Sequence, residues 1–421
     1  MEKAIIVGLN TGSDQQFYES LEELKNLALA CHIEVVDQLT QNLPSSNKKT
    51  YIGKGKVDEL KQAVIMHEPD MVIFDDELSP SQIHHLEKKL ETNVLDRTVL
   101  ILNIFSRRAQ TTEAKLQVEL ARAKYLLPRM AGSYTDLSRQ RAGTGSKGPG
   151  EQKLELDRRI VRKKISQIKY ELKKVVQTRR TQRKSRKSNH IPVVALTGYT
   201  NSGKSSLMNA IINESTQSNV THTFEKDMLF ATLETKTKLI SLNDQKDFLL
   251  TDTVGFIRRL PHDLIEAFKS TLEEITEADL LLHVIDASSP NYSSQINTVE
   301  SVLSEIGANH IPTIYVYNKS DLLEKHPIVH TENHIFISAK NQLNINNLLK
   351  TINRSLEQGT SLVTLLIPYE KGDLYTYLKT NKTIISNAFE NDGTRIQVRL
   401  SKEEMEKFHT YIKKDKGVIK P

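Results

Sequence analysis

Gly198, Gly203, Lys204 and Ser205 stand in the spacing G-x-x-x-x-G-K-S within Ile191–Ser206, IPVVALTGYTNSGKSS. The apolar run from Ile191 to Leu196 reads as a β-strand, and Ser206 to Ile212 as a helix. In that context the spacing builds a phosphate-binding loop. Glycines allow a turn tight enough for backbone N–H groups to face phosphate oxygens. The helix start adds partial positive charge. Tyr199, Thr200, Asn201 and Ser202 fill the loop. Lys204 would neutralise charge on the β- and γ-phosphates, and the Ser205 hydroxyl would bind Mg²⁺. A glycine-rich turn without a ligand is the alternative, so the remaining chemistry must decide.

Further polar groups follow apolar runs in order. Phe230-Ala231-Thr232-Leu233-Glu234 offers a threonine hydroxyl that would reach Mg²⁺ and sense the γ-phosphate. Thr232 is the candidate, although Thr235 and Thr237 lie close by and an ordinary strand threonine is the competing reading. Asp252-Thr253-Val254-Gly255 follows the apolar stretch Phe248–Leu250. There Asp252 would hold a metal-bound water and the Gly255 N–H would meet the γ-phosphate. The next residue is Phe256, where many such enzymes carry a water-orienting glutamine. Leu280 to Ile285 reads as a buried strand ending at Asp286, and Pro312 to Tyr317 as another, ending in Asn318-Lys319-Ser320-Asp321. The Asp321 carboxylate can accept from guanine N1–H and its 2-amino group, donors that adenine lacks. Leaving a buried polar group unpaired is costly, so such a site selects guanine. Lys319 offers an aliphatic stem to the base plane. Ser338-Ala339-Lys340 closes a further strand, with the Ala339 backbone facing guanine O6. Several such groups at the ends of parallel strands make one site, since α/β sheets bind ligands there.

Other elements must position this set. Ala4–Gly8, Ile33–Val36 and Met71–Phe74 read as strands. Phe17–Ala30 and Val57–Met66 read as helices, as does a segment from Ser79-Pro80 to about Leu90, opened by an N-cap serine and a proline at the first helical position. Tyr51-Ile-Gly-Lys-Gly-Lys56 lacks the phosphate-loop spacing and reads as a strand-to-helix turn. Thr98 to Leu127 opens apolar and turns helical through Leu116, Leu120, Ala123 and Leu127, with Pro128 expected to break it. A polar loop with Gly143, Gly145, Gly148, Pro149 and Gly150 leads to a second helix from about Glu151 to Lys184, striped by Leu154, Val161, Ile165, Ile168, Leu172 and Val175. Together they predict a helical hairpin with the glycine loop at its tip. After Glu357, strands at Val363–Ile367, Ile384–Glu390 and Thr394–Leu400 and helices at Lys371–Asn381 and Ser401–Ile412 predict a small α+β, ferredoxin-like unit with a solvated basic tail from Lys413 to Lys420.

The 421 residues carry a net charge of +6. From Arg139 to His190 there are 18 Lys/Arg against 4 Asp/Glu, a local +14, which leaves 40 basic and 48 acidic groups, a net of −8, elsewhere. Such asymmetry points to a polyanion, most simply nucleic acid. Aromatics in and just before the segment are few, Tyr170 and Tyr134, which speaks for backbone or shape recognition of structured RNA rather than base stacking. One cysteine, Cys31, excludes an intramolecular disulfide framework and reads as a small buried residue. The N-terminal apolar run is too short for a signal peptide, and nothing approaches the ~18 apolar residues of a membrane span. A cytoplasmic protein is expected.

Beyond these local readings, most of the chain resembles the HflX family of ribosome-associated GTPases. YIGKGKVDEL (51–60), DDELSPSQ (75–82), DRTVLILNIFSRRAQTTEAKLQVELA (96–121) and GPGEQKLELDRRI (148–160) are similar to that family's N-terminal segments. LFATLE (229–234), DTVGFIRRLPHDLIEAFKSTLEE (252–274) and NKSD (318–321) are similar to its G domain. The chain departs from the family pattern in three places. Glu234-Thr235 stands for Asp-Pro, Lys147 for an arginine, and Gln152-Lys153 for Thr-Gln.

The resemblance implies a multidomain α/β fold. Residues 1–96 form an N-terminal α/β subdomain, 97–188 a long helical hairpin with a basic tip, 189–357 a P-loop GTPase domain with a mostly parallel sheet, and 358–421 a small α+β C-terminal domain. It implies GTP and GDP as bound nucleotides, Mg²⁺, and a large ribosomal subunit whose RNA meets the hairpin. It also implies that idle or stalled ribosomes are dissociated, with GTP favouring the bound state and hydrolysis favouring release. Asn201 is the residue through which K⁺ would be held near the phosphates, as in some related GTPases. A monomer is expected, with peripheral membrane association left open. Two further readings stand beside it: an NTP-dependent RNA-remodelling enzyme, and a GTP switch acting on a protein or membrane partner.

Overall fold

The computed structural model describes residues 1–12, 14–130, 149–188, 191–215, 235–242, 247–258, 268–323, 331, 333–357, 360–381 and 384–413. The tip-loop glycines 143, 145 and 148, the Phe230–Glu234 loop with Thr232, and the tail beyond Lys413 lie outside them.

Four parallel strands form the first sheet: β1 (Glu2–Asn10), β2 (Ile33–Asn42), β3 (Met71–Phe74) and β4 (Asn93–Asp96), in the order β2-β1-β3-β4. Strands β1 and β3 are buried over almost every residue, as expected for parallel strands covered on both faces. Helices α1 (Asp14–Ala30), α2 (Lys54–His67) and α3 (Pro80–Leu90) connect them. Ser79 caps α3 in a full capping box with Gln82. Two readings change here. Helix α2 starts at Lys54 with Gly53 as N-cap, so Lys54-Gly55-Lys56 is its first turn rather than the approach to it. Strand β4 was not anticipated; four residues with mixed burial carry too little period-2 signal.

The apolar opening of the next segment is itself helical. It forms α4 (Arg97–Arg108), capped by Asp96, and α5 (Thr112–Arg129) starts afresh at the Thr111 cap. Pro128 sits in the last turn of α5 and does not stop the helix at Leu127. Against α5 packs α6 (Pro149–Ser188), 40 residues and ~60 Å long at 1.5 Å per residue. Pro149 and Gly150, expected in the loop, open this helix, because proline is tolerated in a first turn. Its stripe is half-buried at Val161, Ile165, Leu172 and Val175 and buried at Ile168, and Lys164 pairs with Glu119 at 2.6 Å.

A six-stranded sheet follows: β5 (Val193–Gly198), β6 (Lys236–Ile240), β7 (Phe248–Asp252), β8 (Leu280–Asp286), β9 (Thr313–Asn318) and β10 (His334–Phe336). Its order is β10-β9-β8-β5-β7-β6, and only the edge strand β6 runs antiparallel. One face carries α7 (Lys204–Glu214) and α10 (Ile345–Glu357) over Val194, Leu196, Leu250, Leu282 and Val316. Helices α8 (Lys269–Thr276) and α9 (Tyr292–Glu305) belong to the other face. On that side a single apolar cluster runs without a break from Leu21, Leu24, Ile101 and Phe105 to Tyr199, Val254, Phe256, Leu272 and Leu281. The Phe105 and Phe268 rings meet edge to face at 4.9 Å. The N-terminal and nucleotide sheets are thus joined by a shared core.

The last unit is a three-stranded antiparallel sheet, β11 (Thr360–Ile367), β12 (Ile384–Glu390) and β13 (Gly393–Ser401), in the order β11-β13-β12. Its helices are α11 (Gly372–Asn381) and α12 (Lys402–Lys407). This is a ferredoxin-like β-α-β-β-α with its fourth strand reduced to an antiparallel bridge between Leu365 and Ile412. The final helix is shorter than expected: it ends at Lys407, and a 3₁₀ turn covers His409–Tyr411. Lys413 is exposed, and there its backbone N–H donates to Thr364 O and its ammonium pairs with Glu390 at 2.9 Å.

Candidate functional site: a phosphate loop and a base-binding loop joined by Asn318

Parallel register brings the polar groups together. Leu196 pairs with Asp252, Gly198 with Val284, and Asp286 with Asn318, so β5, β7, β8 and β9 end along one edge. Gly198 leaves the sheet with φ +148°, and a Cβ there would lie 2.2 Å from Val284 O. Gly203 has φ +90°, and its Cβ would lie 2.2 Å from Asn318 Nδ2. Both positions require glycine for backbone reasons and for space. Asn201 also takes the left-handed conformation, φ +60°, which asparagine tolerates. Helix α7 starts two residues earlier than expected, at Lys204, and Gly203 caps it without a side chain. The first-turn amides of α7 therefore face the loop with no intrahelical acceptor, which suits an anion.

Lys204 is buried and donates to Gly198 O at 3.1 Å and Tyr199 O at 2.7 Å. Burial lowers its pKa to about 8, and the Asp252 carboxylate works against that shift. The Ser205 hydroxyl donates to Asp252 Oδ2 at 2.8 Å, and Asp252 is fully buried at the end of β7. Thr253 Oγ1 donates to Leu196 O at 2.6 Å and ties the next residue back to β5. Val254 is buried, and Gly255 lies against Thr200 and Lys204. Phe256 is 1% exposed, with its ring in the shared core.

Asn318 joins the two halves of the site. Its Nδ2 donates to Ser202 O at 3.0 Å, and its Oδ1 accepts the Ala339 N–H at 3.0 Å. The Ala339 amide, expected to face guanine O6, is thus engaged by Asn318. Lys319 adopts φ +60° and its ammonium reaches Asp286 Oδ2 at 2.6 Å, which lays out its stem. The Ser320 N–H donates to Ile337 O at 3.1 Å and holds the turn carrying Asp321, which is partly exposed. Ser338 is buried and accepts the Asn341 N–H, whereas Lys340 is exposed.

Sequence reasoning missed Glu19, Glu23, Arg97, Arg258 and Asp286 as participants around this site. The Tyr199 hydroxyl donates to Glu23 of α1 and accepts the Arg258 N–H at 2.9 Å. Arg258 also pairs with Glu19 of α1. The contacts to α1 span more than 170 residues of chain, and no local pattern announces them.

Known proteins align with this chain over nearly all of it. Family models match residues 18–106 (GTP-binding GTPase N-terminal), 108–186 (GTP-binding GTPase Middle Region) and 193–319 (50S ribosome-binding GTPase). The GTPase HflX of Caldanaerobacter subterraneus subsp. tengcongensis is 46% identical over 98% of this chain and 94% of its own. The chain belongs to the HflX family. The Escherichia coli GTPase HflX is 39% identical over 95% of this chain and 93% of its own. A GTP-binding protein from the archaeon Sulfolobus solfataricus, solved with GDP, is 25% identical over 85% of this chain and 99% of that one, with a TM-score of 0.43. As an HflX-family GTPase the protein binds GTP and cleaves it to GDP and phosphate. No described helix is long and apolar enough to cross a membrane.

Proposed function

We propose that this GTPase acts on the large ribosomal subunit, binding its RNA through α6 and dissociating stalled or idle ribosomes in the GTP state, with hydrolysis driving release. The observation that carries the reading is α6 itself. It holds 15 Lys/Arg and 4 Asp/Glu, a net of +11, and Arg159, Arg162, Lys163, Lys169, Lys173 and Lys174 are exposed. Neutralising phosphates and releasing their counterions is the physical use of such a helix. The 50S ribosome in the description of the family model for residues 193–319 supports the same partner. A switch acting on a protein surface without matching acidic charge leaves this charge unused. An ATP-dependent remodeller needs a second phosphate loop, and Gly53-Lys-Gly-Lys56 lies at the start of α2 without the spacing of one. The cytoplasm and a monomeric state fit this role.

At the nucleotide, Gly198 to Ser205 take the α- and β-phosphates on backbone amides, and Lys204 balances β/γ charge. The hydroxyl and carboxylate oxygens of Ser205 and Asp252 are hard donors of the kind Mg²⁺ accepts, so the residues fit the ion. Ser205 would hold it directly, Asp252 through water, and Thr232 would complete the set. When bound, Mg²⁺ neutralises charge on the β- and γ-oxygens. Asn201 and the neighbouring loop carbonyls are where K⁺ would sit. Asp321 reads guanine, with the Lys319 stem against the ring and the Ser338–Lys340 loop at its edge. The Gly255 N–H meets the γ-phosphate. Phe256 offers no hydrogen bond to the attacking water, so hydrolysis by the isolated protein is slow and the ribosomal partner completes the site. Single-turnover GTPase assays with and without purified large subunits test this: subunits speed hydrolysis if the reading is right, and an unchanged rate refutes partner activation.

A further inference from the structure

Two backbone hydrogen bonds fasten the segment after Asp252 to the phosphate loop. The Phe256 N–H donates to Gly198 O at 3.1 Å, and the Thr200 N–H donates to Phe256 O at 2.8 Å. Tyr199 and Phe256 therefore form a parallel bridge. Gly255 is drawn in so far that a Cβ on it would stand 2.9 Å from Thr200 Cα and 3.0 Å from Lys204 Nζ. The third phosphate of a nucleotide must fit between that ammonium and the Gly255 N–H to touch both. A diphosphate asks only for the loop and the first turn of α7. Admitting the γ-phosphoryl group requires Gly255–Phe256 to retreat and the two hydrogen bonds to break.

Arg258 opposes that retreat. Its guanidinium pairs with Glu19, donates to Gln16 O at 3.2 Å and donates to Ser294 Oγ at 2.6 Å. Its backbone N–H donates to the Tyr199 hydroxyl, which in turn donates to Glu23. Glu23 is itself fixed by Arg97, a buried guanidinium that also binds Asp75 at 2.7 Å and Ser20 Oγ at 3.2 Å. The anchor on α1 is thus stiff, and Ile257, between Phe256 and Arg258, is buried.

We propose that Arg258 is a positioning residue that sets the preference of this site between guanosine di- and triphosphate, by holding Gly255–Phe256 against the phosphate loop from α1. The proposal rests on the reading of Gly198–Ser205 as the guanine-nucleotide site. A partner that displaces α1 would raise triphosphate affinity without touching the nucleotide.

The test titrates the full-length protein with fluorescent GDP and a fluorescent non-hydrolysable GTP analogue. Arg258→Ala should shift the ratio of the two dissociation constants toward the triphosphate by about tenfold, the scale of one charge-assisted hydrogen bond. Glu19→Gln, isosteric and on α1, should shift it the same way. The double variant should do no more than the larger single change, because the two residues share one contact. Arg258→Lys should restore part of the preference through Glu19 alone. An unchanged ratio in both Arg258→Ala and Glu19→Gln, with both nucleotides still bound tightly, overturns the proposal and leaves the nucleotide site intact. Failure of the unaltered protein to bind either nucleotide overturns the site assignment and the proposal with it.

Discussion

Gly203→Ala is the sharpest perturbation of the site, because it acts through one identified neighbour. At φ +90° an alanine carries left-handed strain of about 1–2 kcal/mol. Its Cβ would also stand 2.2 Å from Asn318 Nδ2, so Asn318 must leave Ser202 O. A buried carbonyl left unpaired costs about 1–3 kcal/mol. The sum, about 2–5 kcal/mol, corresponds to GDP binding weakened by roughly 30- to 5,000-fold. Asn318→Ala alone strands Ser202 O and the Ala339 N–H, for about 2–6 kcal/mol. In the double variant the clash is gone and the loss at Ser202 O is counted once. The two costs should therefore fall short of additivity by about 1–3 kcal/mol. Fluorescent GDP titrations of the four full-length proteins give the cycle, and any direct contact of Asn318 with the base cancels in it. Additive costs, to within about 0.5 kcal/mol, would refute the claim that Gly203 is required by Asn318.

Three further outcomes are expected. Asp321→Asn should weaken GDP binding by about a hundredfold or more and favour xanthosine diphosphate, whose 2-oxo group accepts from the new amide; competition titrations decide, and retained guanine preference would sink the role of Asp321. Phe256→Gln should not speed intrinsic hydrolysis, because position 256 points into the shared core; a buried amide there lowers the thermal unfolding midpoint at a cost of about 3 kcal/mol, and a stable, faster variant contradicts this. Lys204 loses its proton at about 8 in the fold against 10.5 in the unfolded chain. Between those values the unfolded chain binds more protons, so this contribution to stability rises with pH. GDP affinity moves the opposite way, falling by up to about tenfold per unit above pH 8 as the charge is lost, and Lys204→Met should abolish that slope in a pH titration.

The site residues could be read because each lies next in sequence to the strand that carries it. Gly198, Asp252 and Asn318 end buried apolar runs, and a parallel sheet brings such ends together whatever the connections. The positions of helix starts were less legible, since Lys54, Pro149 and Lys204 open helices with residues that loops also favour. What the sequence hid was the shared core. Leu21, Phe105 and Phe256 look like members of three separate units, and only their burial in one cluster joins them. The ties from Glu19 and Glu23 to Arg258 and Tyr199 were hidden for the same reason. Charged residues on α1 read as a solvated face until a second surface lies against them.

This GTPase is expected to carry its basic helix to the ribosome under control of the nucleotide. Co-sedimentation of the full-length protein with purified large ribosomal subunits, across a salt series with the GTP analogue or GDP, tests it most directly. The expected result is binding that is tighter with the GTP analogue and falls steeply with salt, with the slope reduced when exposed lysines and arginines of α6 such as Arg162, Lys163 and Lys169 are neutralised. Absence of binding at low salt with either nucleotide, or binding indifferent to both salt and nucleotide, would contradict it.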